Sequence, residues 1–155
     1  MKLRFASESD AEILEAVHAK AFSEPWSAVD IARLMQILGG FALIAEDTAE
    51  PAGVVGFILA RTMADDAEIL TLAVAPWSRR KGVATELIEA AAVEAQKRRA
   101  ATLFLEVAAD NASALALYDR AGFERAGLRK AYYTRAGGPA ADALVLRRAL
   151  NTAPT

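Results

Sequence analysis

The stretch Arg79-Arg80-Lys81-Gly82-Val83-Ala84-Thr85 has the residue types of an anion site. An apolar run ending in Leu72-Ala73-Val74 stops at Ala75-Pro76, and a long amphipathic run begins beyond the basic turn. If that run is helical, its first-turn amides have no partners within the helix, and the macrodipole adds partial positive charge at the same place. Gly82 and the small Ala84 would let a phosphate approach the backbone, while Arg79, Arg80 and Lys81 bring full charges. A pyrophosphate is the kind of group such a turn suits. The same residues would equally make a solvated basic turn that starts a helix. The stretch is neither a P-loop nor a dinucleotide fingerprint, since Gly-x-x-x-x-Gly-Lys-Ser/Thr and Gly-x-Gly-x-x-Gly are both absent.

The elements that must position this turn can be read from periodicity. Lys2 to Phe5 alternates as a short strand. Ser7 offers an N-cap, with Asp10 completing a variant of the capping box. Ile13, Leu14, Val17 and Ala21 share one helical face. A second short helix follows Ser27, with Ile31, Leu34, Met35 and Leu38 inward, and Gly39-Gly40 stops it. Phe41 to Glu46 and Val54 to Met63 read as strands around the turn-forming Asp47-Thr48-Ala49-Glu50-Pro51-Ala52-Gly53, and Glu68 to Val74 as a third after Asp65-Asp66.

The best helix runs from about Arg80 to Arg98. Val83, Leu87, Ile88, Ala91 and Ala95 make its apolar stripe, and Glu86, Glu89, Glu94 and Lys97 lie mostly away from it. Thr102 to Val107 is a strand, Ala112 to Arg120 a short helix ending at Gly122, and Phe123 to Arg135 pairs with Ala143 to Arg148 across Gly137-Gly138. Strand, long helix and strand over 68 to 107 form a β-α-β unit, so those two strands should be parallel. The hairpins make the rest antiparallel. The fold class is therefore α+β: a mixed, mostly antiparallel sheet flanked by helices, with the parallel unit at the anion turn.

Composition narrows the function classes. At 155 residues the chain fits one domain, 1–150, with 151–155 as a frayed tail. Its 54% hydrophobic and 25% charged residues are an ordinary globular mixture. A net charge of −2 gives no basic field for nucleic acid. There is no cysteine, which excludes disulfides, thiolate metal sites and a cysteine acyl-enzyme. No ligand cluster implies a metal. With neither a secretory signal nor an apolar run of roughly 18 residues, the default expectation is a cytoplasmic protein that does not enter membranes, and a monomer.

Arg79-x-x-Gly82-x-Ala84 after Leu72-Ala73-Val74 resembles the acetyl-CoA signature of the GCN5-related N-acetyltransferase (GNAT) superfamily. Further segments are similar to its RimI group: Pro25-Trp26-Ser27, Phe104-Leu105-Glu106-Val107, Asn111, Leu117-Tyr118 with Gly122-Phe123, Arg129-Lys130 with Tyr132-Tyr133, and Asp142-Ala143-Leu144-Val145. The matches run from residue 25 to 145. At three places the chain departs from the RimI pattern on the substrate side. Ala108 and Ala109 stand where a basic residue often follows Leu-Glu-Val, Thr134 replaces a proline, and Ala141 replaces an acid.

The resemblance implies direct transfer from acetyl-CoA to the N-terminal alanine of a small-subunit ribosomal protein (number eighteen). It implies Glu106 as general base and Tyr118 as the acid that protonates the leaving thiolate. It also implies that the backbone of Leu72, Ala73 and Val74 holds the pantetheine arm, that Arg80 to Thr85 hold the pyrophosphate, and that Asn111 touches the cofactor. The chemistry is coherent. An α-amine has a pKa of about 7.7–8.0, so most of it is protonated at neutral pH and needs a base. Glu106 lies among Leu103, Phe104, Leu105 and Val107, an apolar setting that would favour its neutral form. Read without the family, Glu106 also fits a solvated strand end, and Tyr118 a packed helix tyrosine.

Other residues have plainer readings. His18, the only histidine, is expected to be structural or exposed and not catalytic. Trp26 and the pair Tyr132-Tyr133 could wall a peptide groove or join the core. Asp65, Asp66 and Glu68 could attract a basic peptide or form a solvated turn, and Arg147-Arg148 reads as a solvated strand end. Two alternatives stand beside the leading function: a relative acting on other protein N-termini, lysines or small amines, and a CoA-binding module without catalysis.

Overall fold

The computed structural model describes residues 1–48, 53–79, 81–135 and 138–150, with side chains left aside for 131–140. The expectations for Arg80, for the side chains of Tyr132 and Tyr133, for the turn at 49–52, for Gly137 and for the tail 151–155 lie outside the described residues.

Seven strands and four α-helices follow the expected order: β1 Lys2–Phe5, α1 Ala11–Ala21, α2 Ala28–Gln36, β2 Gly40–Asp47, β3 Gly53–Met63, β4 Asp66–Val74, α3 Val83–Lys97, β5 Thr102–Ala108, α4 Ala112–Arg120, β6 Glu124–Arg135 and β7 Gly138–Ala149. They form one sheet in the order β1-β2-β3-β4-β5-β7-β6. Only β4 and β5 are parallel, and every other pair is antiparallel. The mixed α+β class is as read from the sequence.

Each face of the sheet carries its own core. One face, with Ile58, Ile69, Leu103, Leu105 and Leu146, packs against Leu87, Ile88 and Ala91 of α3 and Tyr118 of α4. The other, with Ile44, Phe57, Leu59 and Ala73, packs against Leu14 and Val17 of α1 and Ile31 of α2. Gly56 lets α3 come close: a Cβ there would stand 3.0 Å from the Ala73 carbonyl oxygen and 3.2 Å from Val83 Cγ1. The strand alternation breaks once in β4. Leu59 pairs with Thr71 but Ala60 pairs with Ile69, so Leu70 is an extra residue without a partner in β3. Past this bulge Leu72 and Val74 turn toward α3, while Thr71 faces α1.

Several local expectations are met atom by atom. Asp10 Oδ2 accepts from the Ser7 amide at 2.8 Å in the capping box, although a short 3₁₀ turn at Glu8–Asp10 precedes α1. Ser27 Oγ accepts from the Asp30 amide at 3.1 Å and caps α2. Four expectations are corrected. Ile13 is exposed, and Leu38 lies beyond the end of α2 and is almost wholly in solvent. Arg148 is not a solvated strand end, because its guanidinium grips both oxygens of Glu89 and ties β7 to α3. The long helix starts at Val83, not near Arg80, because Gly82 has φ +79° and a right-handed helix cannot run through it.

His18 is buried at 1% exposure and sits between α1, β4 and the connection to α2. Its Nδ1 accepts from the Trp26 amide at 3.1 Å, so the ring proton is on Nε2, which donates to Thr71 Oγ1 at 3.1 Å. Burial pushes its pKa down from 6.5 to about 4. The unfolded chain therefore takes up a proton near pH 6.5 that the folded chain refuses until about pH 4. This contribution to stability is full above pH 6.5 and is lost as pH falls toward 4. Asp10, held down to about 2 by Arg4, loses its contribution only below its unfolded value of 3.8. Urea unfolding should thus show about 2 kcal/mol less stability at pH 5 than at pH 7, and a His18→Gln variant should lose most of that slope. An unchanged slope would show that the ring is not the titrating group.

Candidate active site

β4 and β5 begin as neighbours and then part. They pair at Asp66 with Thr102, Ala67 with Leu103 and Glu68 with Phe104, and at no later position. β4 remains bonded to β3 as far as Val74 with Gly56, and β5 to β7 as far as Ala108 with Ala143. The gap is thus held open from both outer sides, with the facing backbone edges of Leu72–Val74 and Leu105–Ala108 not paired to each other. An extended polar chain could fill it by bonding to those edges as an added strand would.

At the open end of the gap the chain turns into α3. Gly82 is the N-cap in the left-handed region, no side chain caps the helix, and a Cβ built at Gly82 meets nothing within 4 Å. A side chain at Gly82 would point into open space, and Arg79 and Lys81 are exposed beside it. Val83 is buried as the foot of the helix, Ala84 is half-buried and Thr85 exposed. Of the expected phosphate cradle, the structure brings together Arg79, Lys81, Gly82, Val83, Ala84 and Thr85 at one helix start.

Glu106 and Tyr118 lie on opposite faces of the sheet. Tyr118, on α4, is buried among the α3-side residues, with its ring edge-on to Phe123 at 5.6 Å. Glu106 points to the α1 side and lines a pocket of about 290 Å³ with Arg61, Asp66, Glu68, Phe104 and Val145. The purely apolar setting expected for Glu106 is not found. Leu105 and Val107 face the other way, and Glu106 Oε1 accepts from Arg129 Nη1 at 2.7 Å. Arg129 reaches it from β6, across β7.

Asn111 has a structural duty that the sequence reading did not give it. Its Oδ1 caps α4 by accepting from the Ala114 amide at 3.2 Å and from Ser113 Oγ at the same distance. Any contact to a ligand falls to its Nδ2. Trp26 is half-buried, stacked on His18 at 5.2 Å, and lines a second cavity of about 220 Å³ with Asp30, Arg33 and Leu34. Among the described residues no group of three His, Asp or Glu side chains could hold a metal ion, and no helix is long and apolar enough to cross a membrane.

A split parallel pair, an uncapped helix start at its mouth and a carboxylate on the far face are what an acyl-coenzyme and an amine require. Residues 11–123 match the model of the acetyltransferase (GNAT) family. The chain belongs to this family. It is 32% identical over 130 residues to the ribosomal protein bS18-alanine N-acetyltransferase of Escherichia coli K12, covering 84% of each chain. It is 31% identical over 145 residues to the N-alpha-acetyltransferase RimI of Mycobacterium tuberculosis, over 92% of this chain and 88% of that one. The crystal structure of the ribosomal-protein-S18-alanine N-acetyltransferase from Escherichia coli superposes with a TM-score of 0.88 at 28% identity, over 99% of this chain and 96% of the other. The resemblance read from Pro25 to Val145 is thus a relationship to RimI-type acetyltransferases.

The gap fits the coenzyme of such an acetyltransferase. The helix start at Gly82 has no side-chain cap, and the parted edges leave room for a pantetheine arm. Arg129 is the site residue that sequence reasoning passed over. It was noted only as part of a motif, and no local signal shows that a β6 side chain crosses a strand to meet Glu106. An Arg129→Gln variant should lower kcat by about tenfold by releasing the carboxylate from its fixed geometry, with binding of acetyl-CoA by calorimetry unaltered. Full kcat in that variant would reduce the pair to a surface ion pair of little consequence.

Proposed function

We propose that this chain moves acetyl from acetyl-CoA directly to the α-amine of a protein N-terminus, and that its acceptor is the N-terminal alanine of ribosomal protein bS18. The observation that carries the proposal is the parting of β4 and β5 after Glu68 and Phe104, with Gly82 at its mouth and Glu106 beside it. The names of the relatives from Escherichia coli and Mycobacterium tuberculosis support the choice of acceptor.

On this reading the backbone of Leu72, Ala73 and Val74 bonds the pantetheine arm. Arg79, Arg80, Lys81 and the amides from Gly82 to Thr85 hold the pyrophosphate, and Asn111 touches the coenzyme through Nδ2. The acceptor enters from the α1 face, between Trp26 and the β6–β7 hairpin that carries Tyr132. Arg129 holds Oε1 of Glu106, which leaves Oε2 to take a proton from the incoming ammonium. The amine nitrogen then bonds to the thioester carbonyl carbon, and the carbon–sulfur bond breaks. The second proton shed by the nitrogen balances the proton that Tyr118 gives to the departing thiolate. No metal takes part, nucleic acid is not bound, and a monomer acts in the cytoplasm.

Mass spectrometry of peptides after reaction with acetyl-CoA tests the acceptor. The peptide beginning with the bS18 alanine should gain one acetyl group on its α-amine, faster than peptides with other first residues. Equal rates on all termini, or transfer only to lysine or to a small amine, would count against the narrow assignment. Glu106→Gln should lower the rate at neutral pH about a hundredfold with acetyl-CoA affinity kept, and Tyr118→Phe should slow thiol release. A Glu106→Gln enzyme as fast as the parent from pH 6 to 9 would remove the base. Binding of acetyl-CoA with no turnover on any amine would leave a coenzyme-binding module.

A further inference from the structure

The connection between α1 and α2 has few anchors to the sheet, yet it carries Trp26, which the proposed acceptor site uses as a wall. Its firm tie is His18. The imidazole accepts from the Trp26 amide at Nδ1 and donates to Thr71 Oγ1 at Nε2, each at 3.1 Å. Phe22 stacks on the ring at 4.3 Å and Trp26 at 5.2 Å, and Phe57 of β3 tilts against it at 6.2 Å. Thr71 follows the extra residue of the β4 bulge and lies beyond the last β4–β5 pair. One ring thus joins a backbone amide of the α1–α2 connection to the β4 edge of the gap.

We infer that His18 is a positioning residue for the acceptor, a two-ended clamp that sets the distance between the Trp26 wall and the thioester slot. The clamp works only with the neutral ring, because a protonated Nδ1 cannot accept from the Trp26 amide. The charged side chains nearest in sequence are engaged elsewhere. Glu15 accepts from the Ala28 amide at 2.8 Å, and Lys20 Nζ lies 4.6 Å from the centre of the Trp77 ring. Phe22 and Trp26 sandwich the imidazole, and the bulge puts the Thr71 hydroxyl on the α1 face. Regular alternation through β4 would have turned Thr71 toward α3. The bulge and the histidine are therefore parts of one device. This inference rests on the acceptor reading above, and its test separates the two.

Two substitutions divide the clamp. In His18→Asn the side-chain oxygen stands near the position of Nδ1 and can still accept from the Trp26 amide. In His18→Gln the side-chain amide reaches toward Thr71 and leaves the Trp26 amide without its acceptor. Hydrogen exchange read by NMR should show the Trp26 amide exchanging about tenfold faster in His18→Gln than in His18→Asn. KM for the acceptor peptide should rise about tenfold in His18→Gln and much less in His18→Asn, while acetyl-CoA affinity stays the same in both. A purely structural histidine would lower stability and kcat alike in the two variants, without splitting them. Equal Trp26 protection in both variants overturns the clamp. Lost protection with an unchanged acceptor KM overturns its role in positioning the acceptor. If no peptide is acetylated by the parent chain, the acceptor reading fails, and the exchange experiment still decides whether the clamp exists.

Discussion

The structure depends on two parallel strands that separate while their outer edges stay bonded. A sheet gains by pairing every backbone amide and carbonyl, so a gap inside one is costly unless something else fills it. Here β3 holds β4 along its length and β7 holds β5, so neither strand can slide over to close the gap. The extra residue at Leu70 adds local bend and twist to β4 at the point where the two strands stop pairing. Helix α3 runs from the open end of β4 back to the start of β5, and its uncapped start lies at the mouth of the gap. A ligand that bonds to the edges of the gap and carries phosphates at one end would satisfy both sets of unpaired groups at once.

The sheet also divides the work between its faces. On the proposed function, phosphate recognition would fall to the α3 side, where Gly82 starts the helix and Tyr118 is packed into the core. On the proposed function, proton removal would fall to the α1 side, where Glu106 lines the pocket with Arg61, Asp66 and Glu68. Alternation along β5 places Leu105 and Val107 in the core and Glu106 on the opposite face, so one strand serves packing and chemistry together. Burial of Tyr118 limits its ring to a narrow set of positions on the α3 side.

Much of this was legible in the sequence. The β-α-β unit, the helix stripe of Val83, Leu87, Ile88, Ala91 and Ala95, and the short helix Ala112–Arg120 follow from periodicity and bury the residues that it marks. Gly82 was legible as a place where phosphates could approach, but its left-handed conformation was not, so the helix start was set too early. The β4 bulge was not legible, since Glu68 to Val74 reads equally well as a regular strand. Arg129 and His18 were missed as partners because both act across the chain. Arg129 meets Glu106 over an intervening strand, and His18 links segments that only the packed helix brings together. Long-range side-chain pairing leaves no local period for a sequence to display.

The pairing of Glu106 with Arg129 also bears on which amine the site suits. The Glu106 carboxylate is held in one geometry by a guanidinium 2.7 Å away. An α-amine, with a pKa of about 7.7–8.0, needs little help to lose its proton, whereas a lysine at about 10.4 must give up roughly 3 kcal/mol more. A stronger base in a drier pocket would suit lysine. On the proposed reading, the acid strength of the acceptor favours a chain terminus over a lysine at this carboxylate.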